Sequence, residues 1–373
     1  MAEMVGMAEA KNALQDSLPM LSPDEQLLYD ALSIYTPSGQ ERLVAERLAQ
    51  EMAQRGMGGR VDEAGNAVGE IGQGRPHTVM LGHIDTVPGF IPVELRDGSI
   101  YGRGAVDAKG PFVSFVCAVS RVVAGLAPMG RITVVGAVEE EAVTSKGARH
   151  VLGLYDPDYV IIGEPSGWDA VTVGYKGRLV IHYKLMRPMS HTASRELVPA
   201  EEAVLFWQKL QDFARSWNAS HGAALGQWGA VVPSLRHIAT GDDPFALSVV
   251  AGMALRLPLA LSPAEAMAAI SHFAGDASVT FSGAEMACKS EKTNLLVRSF
   301  LSSIRQAGGE PRFKVKTGTS DMNVVAARWR CPIVAYGPGD SSLDHTPEER
   351  LSLAEFARSI DVLEGALRTI GRP

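Results

Sequence analysis

The stretch HTVMLGHIDTVPG, residues 77–89, sets a histidine and an aspartate one residue apart just after a short apolar run, then breaks the chain with Pro88 and Gly89. A run of that length bounded by turn residues predicts a buried strand over HTVML, residues 77–81. His83 and Asp85 then stand where the strand ends. Polar groups in such a place need a partner, because burying them bare is costly.

The same arrangement recurs down the chain. RITVVGAV (131–138) leads to Glu139, Glu140 and Glu141, YVIIG (159–163) leads to Glu164, and PIVAYG (332–337) leads to Asp340, Asp344 and His345. Helical patterns from about Pro111 to Leu126 and near 145–154 separate these runs, which predicts an α/β unit built on a parallel or mixed sheet. In open α/β sheets the loops beyond the strand C-termini converge on a ligand crevice. Asp107, in the glycine-rich loop YGRGAVDAKGP (101–111), is placed to join them. A lone histidine after a strand, or an isolated acidic triplet, is ordinarily structural or solvated. Several carboxylates and two imidazoles aimed at one rim are different, since like charges share a crevice only when cations neutralise them. Histidine and carboxylate donors without cysteine suit an open, catalytic divalent-metal site.

Toward the N-terminus, Ser22 and Glu25 form a capping box with Pro23 at the first helical position. A second helix is predicted with Ser38 and Glu41 as its cap and Gly56 as its stop. After about residue 175 the texture changes. The strand-like GRLVIHYKLM, an amphipathic helix over 199–218, the strand LSVVAGMALRL, a helix capped by Ser262 and Glu265, and SVTFSG predict a small α+β domain inserted into the first. The expected division is 1–175 and 291–373 for the catalytic domain and 176–290 for the insertion. From about Thr293 the α/β pattern resumes and closes with a helix from Pro347 to about Leu367.

Bulk properties narrow the classes. At 373 residues the chain is long enough for two structural units. Its 35 basic and 42 acidic residues give a net charge of −7, which argues against nucleic-acid binding. The three cysteines Cys117, Cys288 and Cys331 are dispersed and suggest neither disulfides nor a thiolate zinc site, so a reducing cytoplasm is the expected setting. The first twenty residues do not read as a signal peptide. Arg256 interrupts the longest apolar candidate, FALSVVAGMALRLPLAL, short of the ~20 residues a membrane span requires.

LGHIDTVPG, YGRGAVDAKGP, VEEEAVTSKGA, IIGEPSG, KTGTSDM and YGPGDSSLDHTPEE, taken in order, resemble the dinuclear zinc amidohydrolase family that includes acetylornithine deacetylase, succinyl-diaminopimelate desuccinylase, aminoacylase and glutamate carboxypeptidase. The resemblance runs from Leu27 onward. It implies a mixed-sheet dizinc hydrolase domain with an inserted α+β lid and dimerisation domain. By the same resemblance, His83 and Glu164 hold one zinc, Glu141 and His345 the other, and Asp107 bridges them; cobalt or manganese would suit the same donors. Asp85 matches the carboxylate behind His83, fixing its tautomer. Glu140 matches the general base that moves a proton from water to the leaving amine. His191, in MSHTASRE, matches a lid histidine that in dimeric relatives reaches the neighbouring subunit's site as an oxyanion donor, a role typically worth about 2.7–4 kcal/mol.

Substrate-carboxylate contacts in the family fall on Lys176, Arg256 and Thr319. Lys176 replaces an arginine of several relatives, and GDDPFALS (241–248) lacks a family asparagine. Within the family the motifs look most like the branch that hydrolyses lysine from a small acidic amino-group carrier protein, with lysine or ornithine as the released amino acid. The competing expectation is deacetylation of N-acetylornithine or a similar acyl amino acid by the same metal chemistry.

Other classes fit less well. GRGAVD fails as a dinucleotide fingerprint because Asp107 occupies its third glycine position. The chain contains no G-x-S-x-G. A metal-binding scaffold without activity is disfavoured by the intact Glu140, ligand set and His191.

Overall fold

A computed structural model describes residues 21–125, 130–189 and 196–371. His191 lies outside them. Helix α1 (Pro23–Ser33) starts at the predicted capping box. Helix α2 (Arg42–Gln54) is followed by Gly56 at φ 85°, the left-handed stop its sequence implies. Its expected Ser38 cap is not formed. Glu41 is the N-cap, and the Ser38 hydroxyl donates to Asp85 Oδ2 at 2.7 Å, since a buried carboxylate needs the donor more than a solvated helix end does.

Among the described residues the main sheet has nine strands: β1 (Gly58–Val61), β2 (Ala67–Gly72), β3 (His77–His83), β6 (Arg131–Ala137), β7 (Tyr159–Gly163), β8 (Ala170–Tyr175), β13 (Cys288–Lys289), β14 (Arg312–Lys316) and β15 (Ile333–Ala335). Their order is β1-β2-β6-β3-β7-β15-β8-β13, with β14 also on β8. The central four, β6, β3, β7 and β15, run parallel, so their C-terminal ends lie along one edge. Strand β3 is buried throughout and sends successive side chains to opposite layers: Met80 to one core, Val79 and Leu81 to the other. The first core joins the sheet to α1, α2, α3 (Lys109–Gly125), α7 (Leu295–Gln306) and α9 (Leu353–Ile370). The second joins it to α4 (Lys146–Val151) and α8 (Asp321–Ala326).

A separate antiparallel sheet, ordered β10-β11-β9-β12, comprises β9 (Gly177–Pro188), β10 (Val232–Asp242), β11 (Ala246–Leu257) and β12 (Ser278–Glu285). Along β9, Leu179, Ile181, Tyr183 and Leu185 face a core of their own under α5 (Pro199–Ser220) and α6 (Pro263–Ser271). This unit is the lid. Its expected strand-helix-strand-helix-strand order is corrected by β10, whose VPSLRHIATGD lacks a clean apolar alternation. The last helix also starts later than Pro347. Residues Arg350–Ser352 form β16, which pairs with β5 (Ser99–Tyr101) beside β4 (Glu94–Arg96), and Ser352 then caps α9. Among the described residues no helix is long and apolar enough to cross a membrane.

Gly110 sets how closely α3 approaches the Asp107 loop. A Cβ there would collide with the Ala105 carbonyl oxygen and stand 2.8 Å from Leu351 Cδ2. Gly110→Ala is therefore expected to lower stability by about 1–3 kcal/mol, measured as a drop in urea midpoint with unchanged slope.

Candidate metal centre

The loops at the parallel edge are tied down by side-chain acceptors. After β6, four successive backbone N–H groups donate to side chains: Val138 to Asn66 Oδ1, Glu139 to Glu41 Oε1, and Glu140 and Glu141 to the two oxygens of Asp85. Asp85 is fully buried and also receives Ser38. The Asp107 loop is held by Glu349, another fully buried carboxylate. Its Oε1 accepts the N–H groups of Gly104, Val106 and Asp107, and its Oε2 pairs with Arg103 at 2.8 Å.

These ties bring the five expected ligands together. His83 Nε2 is 3.1 Å from Asp107 Oδ1 and 4.0 Å from Glu164 Oε1. His345 Nε2 is 2.9 Å from Asp107 Oδ2 and 2.8 Å from Glu141 Oε1. Each oxygen of Asp107 thus faces a different histidine. Three donor sets gather within 4.8 Å: His83, Asp107 and Glu164; Asp107, Glu141 and His345; and His83, Glu140 and Glu141. On the far side of the His83 ring, Nδ1 meets only acceptors, the Asp85 carbonyl at 3.0 Å and an Asp85 carboxylate oxygen at 3.4 Å. Nδ1 therefore carries a proton, which leaves Nε2, facing Asp107 and Glu164, as the nitrogen that would offer its lone pair to a cation bound there. The expected Asp85 link to His83 is made more closely through the backbone carbonyl than through the carboxylate.

The charge balance of this cluster asks for cations. Burial, then the charge of Asp107, pushes Glu164 up to about 8, and the same causes in the same order push Asp344 up to about 8. Burial, with Glu164 and Asp321 nearby, drives Glu140 well above the carboxylate range despite His83. Hydrogen bonds to Asp107 and Glu141 raise His345 to about 10. Asp107 is held far below its usual range, burial notwithstanding, by the two histidines. The protein's own groups neutralise this cluster only by retaining protons on carboxylates and imidazoles. Divalent ions would replace those protons, and the oxygen-plus-imidazole donor set fits them.

The carboxylates open into a cleft of about 610 Å³ whose other wall is the lid. Arg256 and Thr319 line it together, with Arg256 Nη1 donating to Thr319 Oγ1 at 3.1 Å. Lys176 does not join them. Its side chain is fully buried and its Nζ donates to the Ala230 carbonyl at 2.6 Å, away from the cleft lining. Cleft residues that sequence reasoning did not single out are Arg178, Arg236, Lys316 and Tyr175. Arg178 was discoverable, since it precedes Leu179 in an alternating strand and so had to face away from the lid core.

The comparisons with known proteins bear on this geometry. The family described as Peptidase family M20/M25/M40 matches residues 79–369. A [LysW]-lysine hydrolase from Deinococcus radiodurans is 46% identical over 358 residues, covering 94% of this chain and 99% of the relative. A [LysW]-lysine/[LysW]-ornithine hydrolase from Sulfurisphaera tokodaii is 29% identical over 337 residues, covering 89% of this chain and 91% of the relative. Among solved structures, an M20 family metallo-carboxypeptidase from Sulfolobus solfataricus superposes with a TM-score of 0.79 at 15% identity over 94% of this chain and 100% of that one. A dinuclear metal binding peptidase of the M20 family from Bacillus subtilis does so with a TM-score of 0.67 at 13% identity, over 93% and 97%. With the family matched across the site and the lid, and a close relative aligned along nearly its whole length, the chain belongs to peptidase family M20/M25/M40 and is a metal-dependent hydrolase.

Proposed function

We propose that the protein hydrolyses the amide joining the α-amino group of lysine, or of ornithine, to the γ-carboxyl of the C-terminal glutamate of a small acidic carrier protein. The products are the free amino acid and the regenerated carrier. The chemistry rests on Asp107, whose two oxygens address His83 and His345 separately as a carboxylate between two cations must. The substrate rests on the 46% identity to the Deinococcus radiodurans enzyme.

In this reading His83, Glu164 and Asp107 would hold one zinc ion, and Asp107, Glu141 and His345 would hold the second. When bound, the pair supplies Lewis acidity toward a carbonyl and a water molecule. Glu140 stands among the ligands with its backbone fixed by Asp85, takes the proton from the attacking water and returns it to the departing α-amine. Arg256 and Thr319 receive the α-carboxylate of the amino acid. Asp344 Oδ1, buried in the cleft with no partner among the described residues, is the acceptor offered to a basic side chain. His191 supplies the oxyanion donor across a homodimer formed through the lid, with the catalytic domain over 1–175 and 291–373 and the lid over 176–290.

Zinc-loaded protein incubated in parallel with carrier-linked lysine and N-acetylornithine is expected to release lysine faster. Faster deacetylation would replace the carrier reading with that of a small acyl amino acid deacylase. Glu140→Gln should retain both metals by elemental analysis while losing at least about a hundredfold in kcat; undiminished turnover would remove it as the base. His345→Ala should drop metal content toward one ion per chain, and two full equivalents in that variant would take His345 out of the ligand set.

A further inference from the structure

The lid wall of the cleft carries three guanidinium groups, those of Arg178, Arg236 and Arg256. Arg178 and Arg256 are direct cross-strand partners in β9 and β11, so both side chains leave the same face of the sheet at neighbouring positions. Arg236 sits between Leu235 and His237, where the β10–β11 register shifts, and a bulge of this kind re-aims the side chain it carries. Like charges placed opposite each other destabilise a sheet. The cost shows at Arg256, whose guanidinium is pushed down to about 10 by burial and then by Arg178 and Arg236.

Glu140 offsets part of this charge at Arg256 through space, without pairing with it. Among the described residues, no carboxylate forms an ion pair with any of the three. Glu285 is the acid best placed to do so, since it pairs in register with Arg178 on the other side, but Arg149 holds it. The hydrogen bonds these arginines make go to neutral oxygens: Arg178 Nε to the Gly283 carbonyl and Arg256 Nη1 to Thr319 Oγ1. Arg236 has no hydrogen-bond partner among the described residues.

One carboxylate carries a single charge and is saturated by one or two guanidiniums. Three in one patch, facing the cleft, call for a second anionic group on the substrate. We propose that Arg178 and Arg236 bind the free α-carboxylate of the glutamyl residue on the acyl side of the scissile amide, while Arg256 with Thr319 serves the carboxylate of the amino acid released. This assignment rests on the γ-glutamyl reading of the substrate. A γ-linked glutamate has that carboxylate and an acetyl group does not, so the arginine pair selects the acyl group, which the metal ligands are unable to do.

The test compares two small amides of lysine, N-acetyl-γ-glutamyl-lysine and 4-acetamidobutanoyl-lysine, which differ only in the glutamyl α-carboxylate, alongside carrier-linked lysine. The zinc-loaded wild type is expected to prefer the carboxylate-bearing compound by at least about tenfold in kcat/KM. In Arg178→Met and in Arg236→Met that preference should collapse toward unity. Arg178→Lys, which keeps the charge but loses the fork, should retain part of it. Because each preference is a ratio taken within one variant, it does not depend on the folded fraction, and Arg236 is exposed enough for its replacement to leave the sheet intact. Equal rates on the two compounds in the wild type, whether fast or nil, overturn the proposal, as does a preference that survives both methionine variants. Failure to release lysine from the carrier would instead overturn the substrate reading on which the proposal rests.

Discussion

A single buried anion, Asp85, orders the edge of the sheet. A carboxylate with no solvent contact is tolerated only where donors surround it. Here the donors are the N–H groups of Glu140 and Glu141 and the hydroxyl of Ser38, while the Asp85 carbonyl fixes the ring of His83. The need to satisfy one charge therefore places the proposed base and two proposed ligands relative to one another. Glu349 does the same for Asp107 with three backbone donors and Arg103. Moving either loop would strand an anion in the interior.

This divides the acids of the region into two kinds. Asp85 and Glu349 have their donors from the protein. Glu140, Glu141, Glu164 and Asp344 do not, and have only two imidazoles and the Lys316 ammonium, 3.9 Å from Glu164, to offset their mutual repulsion. The same low dielectric that makes the first kind strong structural ties makes the second kind unfavourable without a cation. The proposed metal centre is the part of the crevice where the protein has withheld its own donors.

Much of this was legible in the sequence because it follows strand ends. A buried apolar run identifies a parallel strand, the residues just beyond it fall on the ligand edge, and His83, Glu140, Glu141, Glu164 and His345 all follow from that rule. The groups that hold the loops were not legible. Asn66, Glu41, Ser38 and Glu349 belong to no periodic pattern and reach partners from 47 to 246 residues away, so only the tertiary fold reveals them. Ser38 illustrates the competition: its spacing to Glu41 has the form of a helix cap, and a buried carboxylate outbid the helix for its hydroxyl. Lys176 shows a different limit, since a motif position says nothing about which neighbour its ammonium meets once the strand is packed, here the Ala230 carbonyl. The bulge that turns Arg236 is likewise invisible to a period-two reading of β10.

The two unrelieved charge clusters face each other across the cleft, and their separation is itself informative. Acids on the sheet and guanidiniums on the lid would neutralise each other if they touched, and such contact would fill the space the cations and substrate need. The lid strands prevent it. Twelve consecutive residue pairs join β9 to β11, so Arg178 and Arg256 ride on a rigid ladder rather than a loop, and Arg149 holds Glu285, the acid in register with Arg178. A substrate with a carboxylate on each side of its amide can satisfy the lid while presenting the carbonyl between them to the opposite wall. Attraction to the guanidiniums would then orient the bond before any chemistry begins; such a molecule would release the like-charge strain of the lid wall, as cations would release that of the acidic wall.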